Sequence, residues 1–537
     1  MKSLAVILVF LWVGSAAADD LGEMFCPMSD SLLQEVLSVE GSTATDPEVE
    51  TRVVFVSFPG YQRVLPDWSD SLANALADYI ETMSGGDQTF KISVLARPDS
   101  ASVAWVADSV ASYYQQMGSG LIGTGYAVLN AEIMSKIDSA ISDVWDGVEQ
   151  VFMLHYQSVF KNSGVGGVSG LGCSGTGCAP GFSGGGTTQR LEPGVGLNEE
   201  SNEKSMGWIA GHEYGHRLGF PHSPSPGQVN MGRYDIMVAY GSWARGEGLT
   251  PYHPLHLSDV ISWKPKVTLT TDSTGFRIPD LLTLSGFTLS VPASANQSFL
   301  LANHQGNNPY NAKYLGMGLL IWHRSQNYFW DLERAAGKFD STGVCQLDYN
   351  SPDPVVGQDL LENCSSYKGS SADFFDGQSK TAFECSTNPH TFLYETYYQY
   401  YSPQSVSTSV AFENIHRDTN GDMLVDVFVT PKQSVTAPNG GEYLTVAHAT
   451  NVQWSVRSAA CIDSVAIAVS QNGGGDYSTV ASGLSNAGQY SWTPLWPGSQ
   501  YRVRVRSYDE AGGTGNDESN ANFTVRPNPV SDLAVID

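Results

Sequence analysis

Positive charge is scarce in this sequence of 537 residues. It contains 28 lysines and arginines against 55 aspartates and glutamates, which gives a formal net charge of −27 at pH 7. A surface with this balance repels the phosphate backbone of nucleic acids and anionic lipid surfaces. We therefore expect no nucleic-acid partner. The excess carboxylates offer ligands for calcium, although such an excess is more commonly just a solvated surface.

Long apolar runs are also missing. The N-terminal apolar stretch, residues 4–13, has ten residues, about half of the roughly 20 that a membrane-spanning helix needs. It follows Lys2 and is followed by small residues that end at Ala18. This layout is typical of a secretory signal peptide. We expect cleavage after Ala18, a secreted, extracellular protein, and no membrane span.

Cysteine is sparse, and the seven residues are Cys26, Cys173, Cys178, Cys345, Cys364, Cys385 and Cys461. An exported chain oxidises most of its cysteines, so we expect disulfides. Cys173 and Cys178 are close enough in the sequence to close a small loop. The other pairings stay open, because spacing alone does not determine them, and the odd count leaves at least one thiol without an intramolecular partner.

Strands and helices alternate in the first half of the chain, which indicates an α/β domain. Residues 52–58 and 148–156 have the composition of buried strands. Helices are expected at residues 68–83, 101–117 and 130–144. Glycine and serine dominate residues 162–196, which predicts a long loop.

The second half of the chain predicts β structure. Between residues 264 and 429 short apolar runs alternate with turns, which indicates a β-rich extension of the first domain. Residues 433–526 contain short strands separated by Gly, Asn and Pro turns, the pattern of an Ig-like β-sandwich.

One helix carries the residues with the clearest chemistry. It is expected to begin near Ser201 or Asn202 and to end at Gly219. His212 and His216 are four residues apart, so they lie on one helical face and both imidazoles can reach one cation.

The chain returns to the same point after the helix. Gly219 can take the positive φ that ends the helix, so that His222 supplies a third nitrogen. The whole segment matches HExxHxxGxxH. Three protein ligands leave a fourth coordination position for water, the arrangement of a catalytic zinc site, and Glu213 is the expected general base.

Further segments give this motif a family context. Met237 stands fifteen residues after His222 in the string YDIM, and the two together resemble the metzincin metalloproteases, in which a methionine turn lies under the metal. The alternative for Met237 is a simple core position. The strings VVFVSFPG, HEYGHRLGFP, DIMVAYGSW, FLLANHQ, GMGLLIWH and FENIHRDTNGDMLVDV resemble the immune inhibitor A family of secreted bacterial metalloproteases over about residues 50–430. By this resemblance Tyr240 is either an oxyanion stabiliser or a packing residue.

The expected fold is an α/β (α+β) metzincin-like zinc protease domain with a β-rich extension, followed by an all-β Ig-like sandwich. The expected units are a signal peptide (1–18), a polar lead or pro-segment (19–50), the catalytic domain (51–265), its extension (266–432), the sandwich (433–526), and a linker or the start of a further module (527–537).

Other polar clusters give weaker signals. His253 and His256 are rival metal ligands, although histidines in a proline-flanked loop are more commonly solvated. The candidate calcium ligands are Asp418, Asn420, Asp422 and Asp426. Met423 replaces the glycine that an EF-hand needs, and Asn420-Gly421 more simply predicts a hairpin turn.

The expected function is hydrolysis of peptide bonds in extracellular proteins by a secreted zinc metalloendopeptidase with one catalytic Zn²⁺. Residues 148–156, or their flank, are expected to hold the protein or peptide substrate extended by backbone pairing. Cys26 is either an idle or disulfide-bonded residue or a zinc cap in a latent precursor. The alternative function is adhesion: a catalytically degenerate zinc protein whose Ig-like module binds a matrix or cell-surface ligand.

Overall fold

The computed structural model describes residues 47–120, 122–161, 167–172, 178–191, 199–222, 234–238, 248–314, 316–325, 330–333, 335, 371–387, 391, 393, 406–457 and 461–528. Several expectations lie outside these residues: the signal peptide, most of the polar lead, Cys26, Cys173, Cys345, Cys364 and Tyr240. The helices of the first domain are α1 (Ser69–Ser84), α2 (Ala111–Gln115), α3 (Gly125–Ala140) and α4 (Glu199–Arg217).

These helices flank a six-stranded sheet. Its strands are β1 (Glu48–Ser57), β2 (Thr89–Val94), β3 (Trp105–Val106), β4 (Gln150–His155), β5 (Gly167–Val168) and β6 (Gly185–Arg190). The order is β2-β1-β4-β6-β5, with β3 also paired to β1. All pairs are parallel except β5 with β6, which is antiparallel. The predicted alternation of strand and helix produces this largely parallel arrangement.

Both faces of the sheet are buried. On β1, Val53 and Phe55 pack in a core with residues of α1 and α4, and Val54 and Val56 pack in a second core with residues of α3. A strand covered on both faces needs a continuous apolar run rather than an alternating one. The run in residues 52–58 meets this requirement.

The glycine-rich segment does not form one long loop. Residues 185–190 form β6, which lies inside the sheet between β4 and β5. A Cβ at Gly185 would collide with the guanidinium of Arg217 on α4, and a Cβ at Gly186 would lie 2.8 Å from Leu171. The glycines thus allow a helix and a loop to approach the strand closely. The expected loop was wrong here because glycine in a strand marks close approach as well as turns.

The expected helix over residues 101–117 is also wrong for most of its length. Val103 forms a bridge with Val64, and Trp105–Val106 form β3 beside β1. Only Ala111–Gln115 are helical. Pairing with the edge of β1 overrides the local helical spacing here.

Two further sheets follow. One has the order β12-β11-β10-β9-β7 and the other the order β13-β14-β8. Their strands are β7 (Lys266–Thr268), β8 (Ser273–Ile278), β9 (Thr288–Pro292), β10 (Gln297–His304), β11 (Gly318–Ser325), β12 (Trp330–Leu332), β13 (Ala411–Arg417) and β14 (Met423–Phe428).

The larger of these sheets lies between two cores. On β10, Leu300 packs in the core that contains α1 and α4, whereas Phe299 and Leu301 pack in a separate core with β13 and β14. On β11, Trp322 joins the first core. The β-rich extension and the α/β domain therefore share one hydrophobic core beneath α4.

The last strands form two sandwich-like sheets, β15-β17-β20 and β16-β23-β21-β18-β19, with β22 paired to β21. They are β15 (Gln433–Ala437), β16 (Tyr443–Thr445), β17 (Thr450–Val456), β18 (Ser464–Ser470), β19 (Ser478–Leu484), β20 (Gln489–Trp492), β21 (Gly498–Tyr508), β22 (Thr514–Glu518) and β23 (Phe523–Arg526). One core, which includes Trp454 and Val503, fills the space between the sheets. In coarse outline, the expected α/β part followed by β-rich and sandwich-like parts is present. The metzincin-like fold stays a prediction.

The sandwich is joined covalently to the extension. Cys385 and Cys461 form a disulfide with a Cα–Cα distance of 5.7 Å, across 76 residues of sequence. Arg457 adds a salt bridge to Glu413 and lies over the ring of Phe428, 3.8 Å from its centroid. The disulfide and the Arg457 contacts fix the sandwich to the β13–β14 sheet. In the described part of the chain, no helix is long and apolar enough to span a bilayer.

Replacing Cys385 and Cys461 together by serine is expected to reduce the free energy of unfolding by about 2 to 4 kcal/mol, because the disulfide restricts the unfolded chain. Metal binding by the three histidines of the sequence motif should not change, since none of them lies in this joint. Urea unfolding and metal analysis of the two proteins measure both effects. Unchanged stability would show that the joint is held by its noncovalent contacts alone.

Candidate metal centre

The end of helix α4 directs the chain back toward the helix. Gly219 has φ of 89°, and the Phe220 amide donates to the Gly215 carbonyl at 2.9 Å. A bond that spans five residues around a left-handed residue is the Schellman ending that closes many helices. It returns the chain so that His222 faces His216.

Three histidines converge at this point. One ring nitrogen from each of His212, His216 and His222 lies within 4.8 Å of the other two. The Nε2 atoms of His216 and His222 are 3.1 Å apart. Among the described residues this is the one group of three or more His, Cys, Asp or Glu side chains with such spacing. The structure thus brings together the three residues that the sequence motif predicts.

Backbone carbonyls orient two of the rings. The Nδ1 atom of His212 lies 2.7 Å from the Ile236 carbonyl oxygen, and the Nδ1 atom of His216 lies 2.9 Å from the Phe220 carbonyl oxygen. A carbonyl only accepts, so each Nδ1 carries the proton and each Nε2 of the neutral ring keeps its lone pair. Both Nε2 atoms are then ready to bind a cation.

Burial favours the neutral form of the His216 and His222 rings. It lowers the pKa of His216 well below its ordinary value, and the neighbouring His222 and His212 rings lower this pKa further. Burial, with a contribution from His212, also lowers the pKa of His222 to about 3. Neutral imidazole is the form that binds metals. Two buried histidines and the half-buried His222 together offer three imidazole nitrogens, a donor set that fits Zn²⁺.

Glu213 follows the first histidine on α4 and is buried. Strand β5 passes directly against it: a Cβ placed on Gly167 would lie 2.7 Å from Oε1 of Glu213. Only a glycine at this position lets the backbone approach the carboxylate so closely. The carboxylate is therefore confined between the helix and β5.

The strand expected to pair with a substrate, within residues 148–156, lies in the middle of the sheet. Strand β4, which covers most of residues 148–156, pairs with β1 on one side and with β6 on the other, so it has no backbone edge to offer. The short antiparallel strand β5 ends the sheet order and lies beside Glu213. A central strand cannot take part in strand addition, which needs an exposed edge.

Met237 lies beneath the helix. It is buried, and a Cβ on Gly215 would collide with its sulfur and would lie 2.9 Å from the ring of Tyr252. Gly215 stands between His212 and His216 on α4, so the methionine packs against the histidine-bearing turn. This placement fits a methionine turn and a simple core position equally well, so the methionine turn stays a prediction, and Tyr240 lies outside the described residues.

His253 and His256 are not solvated, contrary to the expectation for a proline-flanked loop. Both are fully buried. Nδ1 of His253 accepts a hydrogen bond from the Leu255 amide at 3.1 Å, and Nε2 of His256 pairs with Asp235 at 3.2 Å. The shared core of the α/β domain and the extension covers this segment, which the local sequence does not reveal. Neither residue belongs to the three-histidine group.

The candidate calcium ligands near residue 420 are engaged with protein groups. Arg277 forms salt bridges with both Asp418 and Asp422, the second at 2.9 Å. Oδ1 of Asp418 accepts the Asn420 and Asp422 amides at 2.8 and 3.0 Å. The segment forms the turn between β13 and β14, as the Asn-Gly pair predicts, and an arginine supplies the positive charge.

Sequence reasoning missed two features of this centre. Gly207, Gly211 and Gly215 recur every four residues and line the face of α4 that packs against Leu249, Ile236 and Met237. That spacing in the sequence signals a close packing face of a helix. The second feature, the buried carboxylate of Asp235, has no such signal, because its partners are distant in the sequence.

Comparisons with known proteins add little. No family model and no curated protein matches the chain. Among solved structures, the chain is similar to the fibronectin(III)-like modules of Clostridium thermocellum CbhA, with 16% sequence identity over 18% of this chain and 94% of that chain. The TM-score is 0.14, which is too low to support an argument about fold or function.

Proposed function

We propose that this chain is a secreted zinc metalloendopeptidase, in which His212, His216 and His222 hold one Zn²⁺ and Glu213 is the general base. The observation that carries the proposal is the convergence of one ring nitrogen from each of His212, His216 and His222, within 4.8 Å of one another, next to the buried carboxylate of Glu213. Three nitrogen ligands with one open position are typical of catalytic zinc. The resemblance of the sequence to metzincins and to the immune inhibitor A family supports the same function.

Each group has a separate task. When bound, zinc lowers the pKa of a water molecule toward about 7 and polarises the scissile carbonyl. The Glu213 carboxylate accepts a proton from the attacking water and delivers it to the leaving amine. The Ile236 and Phe220 carbonyls hold the rings of His212 and His216 in the tautomer that binds the metal.

We infer that an extended peptide lies along β5. This strand is at the end of the sheet order, and a Cβ on Gly167 would lie 2.7 Å from Oε1 of Glu213. Both residues of β5 are buried, so its edge must be uncovered before a peptide pairs with it. Backbone pairing with such an edge would place a peptide bond beside the carboxylate without selecting particular side chains. A protein substrate with an accessible extended segment is therefore the expected substrate class.

The proposal is tested by metal removal. Casein cleavage by the purified protein should stop when a chelator removes zinc and should return when zinc is restored. His222→Ala removes one of the three ligands, so zinc content and cleavage should fall together. The matched control is His448→Ala, because His448 is exposed in the sandwich and its loss should change neither quantity.

Two results would contradict the proposal. If the unmutated protein holds zinc but cleaves neither casein nor short peptides, the chain is a degenerate zinc protein and adhesion through the sandwich takes precedence. If cleavage survives complete metal removal, the three histidines are not the catalytic centre.

A further inference from the structure

Asp235 is a buried carboxylate that the catalytic steps do not use. It lies two residues before Met237 and is fully covered by the shared core. Oδ1 accepts the Met237 amide at 3.0 Å and the His253 amide at 3.2 Å, and Oδ2 pairs with Nε2 of His256 at 3.2 Å. A buried carboxylate is costly unless such donors surround it, so its position is narrowly defined.

The hydrogen bonds that Oδ1 of Asp235 accepts help to orient His212. The Met237 amide bond closes a tight turn across Ile236, and the Ile236 amide donates to the Pro251 carbonyl at 3.1 Å. The direction of the Ile236 carbonyl is fixed by this turn. That carbonyl accepts the Nδ1 proton of His212, so Asp235 orients the first ligand through one residue.

The hydrogen bond between Oδ2 of Asp235 and His256 helps to orient His216. The ring of His256, held by Asp235, stacks on the ring of Phe220 with centroids 4.8 Å apart and planes 16° from parallel. The Phe220 carbonyl in turn accepts the Nδ1 proton of His216. His256 therefore fixes the residue that orients the second ligand.

We propose that Asp235 and His256 are positioning residues that hold His212 and His216 in their metal-binding orientation and thereby set the metal affinity of the centre. This inference rests on the proposed function for the identity of the metal. Neither residue belongs to the three-histidine group; each acts through a backbone carbonyl. Partners that hydrogen-bond a ligand histidine directly change metal affinity about 10- to 100-fold when they are removed, and Asp235 and His256 hold those partners in place.

Two variants separate the positioning role from simple stability. Asp235→Asn keeps one oxygen for the two amides but places an amide nitrogen opposite His256. His256→Phe keeps an aromatic ring to stack on Phe220 but removes the donor to Asp235. The matched control is Asp280→Asn, because Asp280 is also buried and accepts the Leu282 and Gln305 amides at 2.9 Å. Neither of these bonds involves the residues that link Asp235 to His212 or His216.

Zn²⁺ affinity is measured by competition with a chelator, and the ligand geometry by the visible spectrum of the Co²⁺-substituted full chain. We expect about 10- to 100-fold weaker Zn²⁺ binding and a shifted Co²⁺ spectrum in both Asp235→Asn and His256→Phe. Asp280→Asn should lose thermal stability but keep affinity and spectrum.

The inference is overturned if both variants, folded by circular dichroism, bind Zn²⁺ and Co²⁺ like the unmutated chain. It is also overturned if Asp280→Asn weakens Zn²⁺ binding to the same extent. Failure of the proposed function gives a different result: the unmutated chain then binds zinc but cleaves no peptide, and the effects of the two variants on metal binding remain.

Discussion

Replacing Glu213 by glutamine is expected to lower peptide hydrolysis by at least about 100-fold while zinc stays at one ion per chain. Glutamine has nearly the same shape as glutamate, so it fits the narrow space against Gly167. Its amide cannot accept a proton from water. The three imidazoles are untouched, so the metal should remain although the proposed general base is lost.

Metal analysis and peptide hydrolysis on the same samples test this expectation. A control on the same helix is Glu203→Gln, because Glu203 only accepts a hydrogen bond from the hydroxyl of Ser71 and should leave both readouts unchanged. His222→Ala should give the opposite pattern to Glu213→Gln, with zinc and activity lost together. Full activity of Glu213→Gln would exclude this residue as the base.

The three-histidine group could be predicted from the sequence because it depends on local geometry. His212 and His216 are one helical turn apart, and the turn at Gly219 is encoded by a residue that tolerates positive φ. Local spacing and backbone preference therefore suffice to place three of the four predicted functional side chains around one point. The same reasoning predicted the Asn-Gly hairpin between β13 and β14.

Strand β6 could not be predicted by composition, because its glycines are selected by neighbours that are distant in sequence. Gly185 accommodates Arg217 and Gly186 accommodates Leu171, and neither partner can be read from the segment itself. The burial of His253 has the same origin, since its ring packs against Trp322 on β11 with centroids 4.3 Å apart. Contacts between residues that are distant in the sequence therefore determine both the formation of β6 and the burial of His253.

The disulfide between Cys385 and Cys461 could not be predicted from the sequence either. In the sequence Cys385 stands near Cys345 and Cys364, whereas its partner belongs to the sandwich. Disulfide pairing depends on Cα atoms about 5.5 to 6 Å apart rather than on sequence proximity. The approach of the two sheets at Arg457 supplies that distance.

Acid is expected to destabilise the α/β domain through His155, the last residue of β4. Its ring is buried, Nδ1 lies 2.6 Å from the Gln157 carbonyl, and Nε2 has no hydrogen-bond partner among the described residues. The pKa of His155 is lowered to about 4, mainly by burial; the Gln157 carbonyl opposes this shift and the charge of Arg190 adds to it. Protonation would bury a second N–H without an acceptor.

The direction in which stability changes with pH follows from the lowered pKa of His155. The unfolded chain, with an ordinary histidine pKa of about 6.5, binds the proton first as the pH falls, so the stabilisation present above about pH 6.5 is lost between there and pH 4. This one residue contributes a slope of about 1.4 kcal/mol per pH unit in that window. His155→Asn keeps a donor near the position of Nδ1 and does not titrate, so the variant should show a shallower slope.

Urea unfolding of the metal-free chain at intervals from pH 7.5 to pH 4.5 measures this slope. Metal-free samples are needed because the three candidate ligand histidines also take up protons in this range when the chain unfolds. Comparing His155→Asn with the unmutated chain cancels the contributions of the other buried histidines, and His448→Asn controls for the loss of an exposed imidazole. Equal slopes in all three proteins would mean that His155 takes up its proton in the folded domain as readily as in the unfolded chain, and that burial at the end of β4 does not keep it neutral.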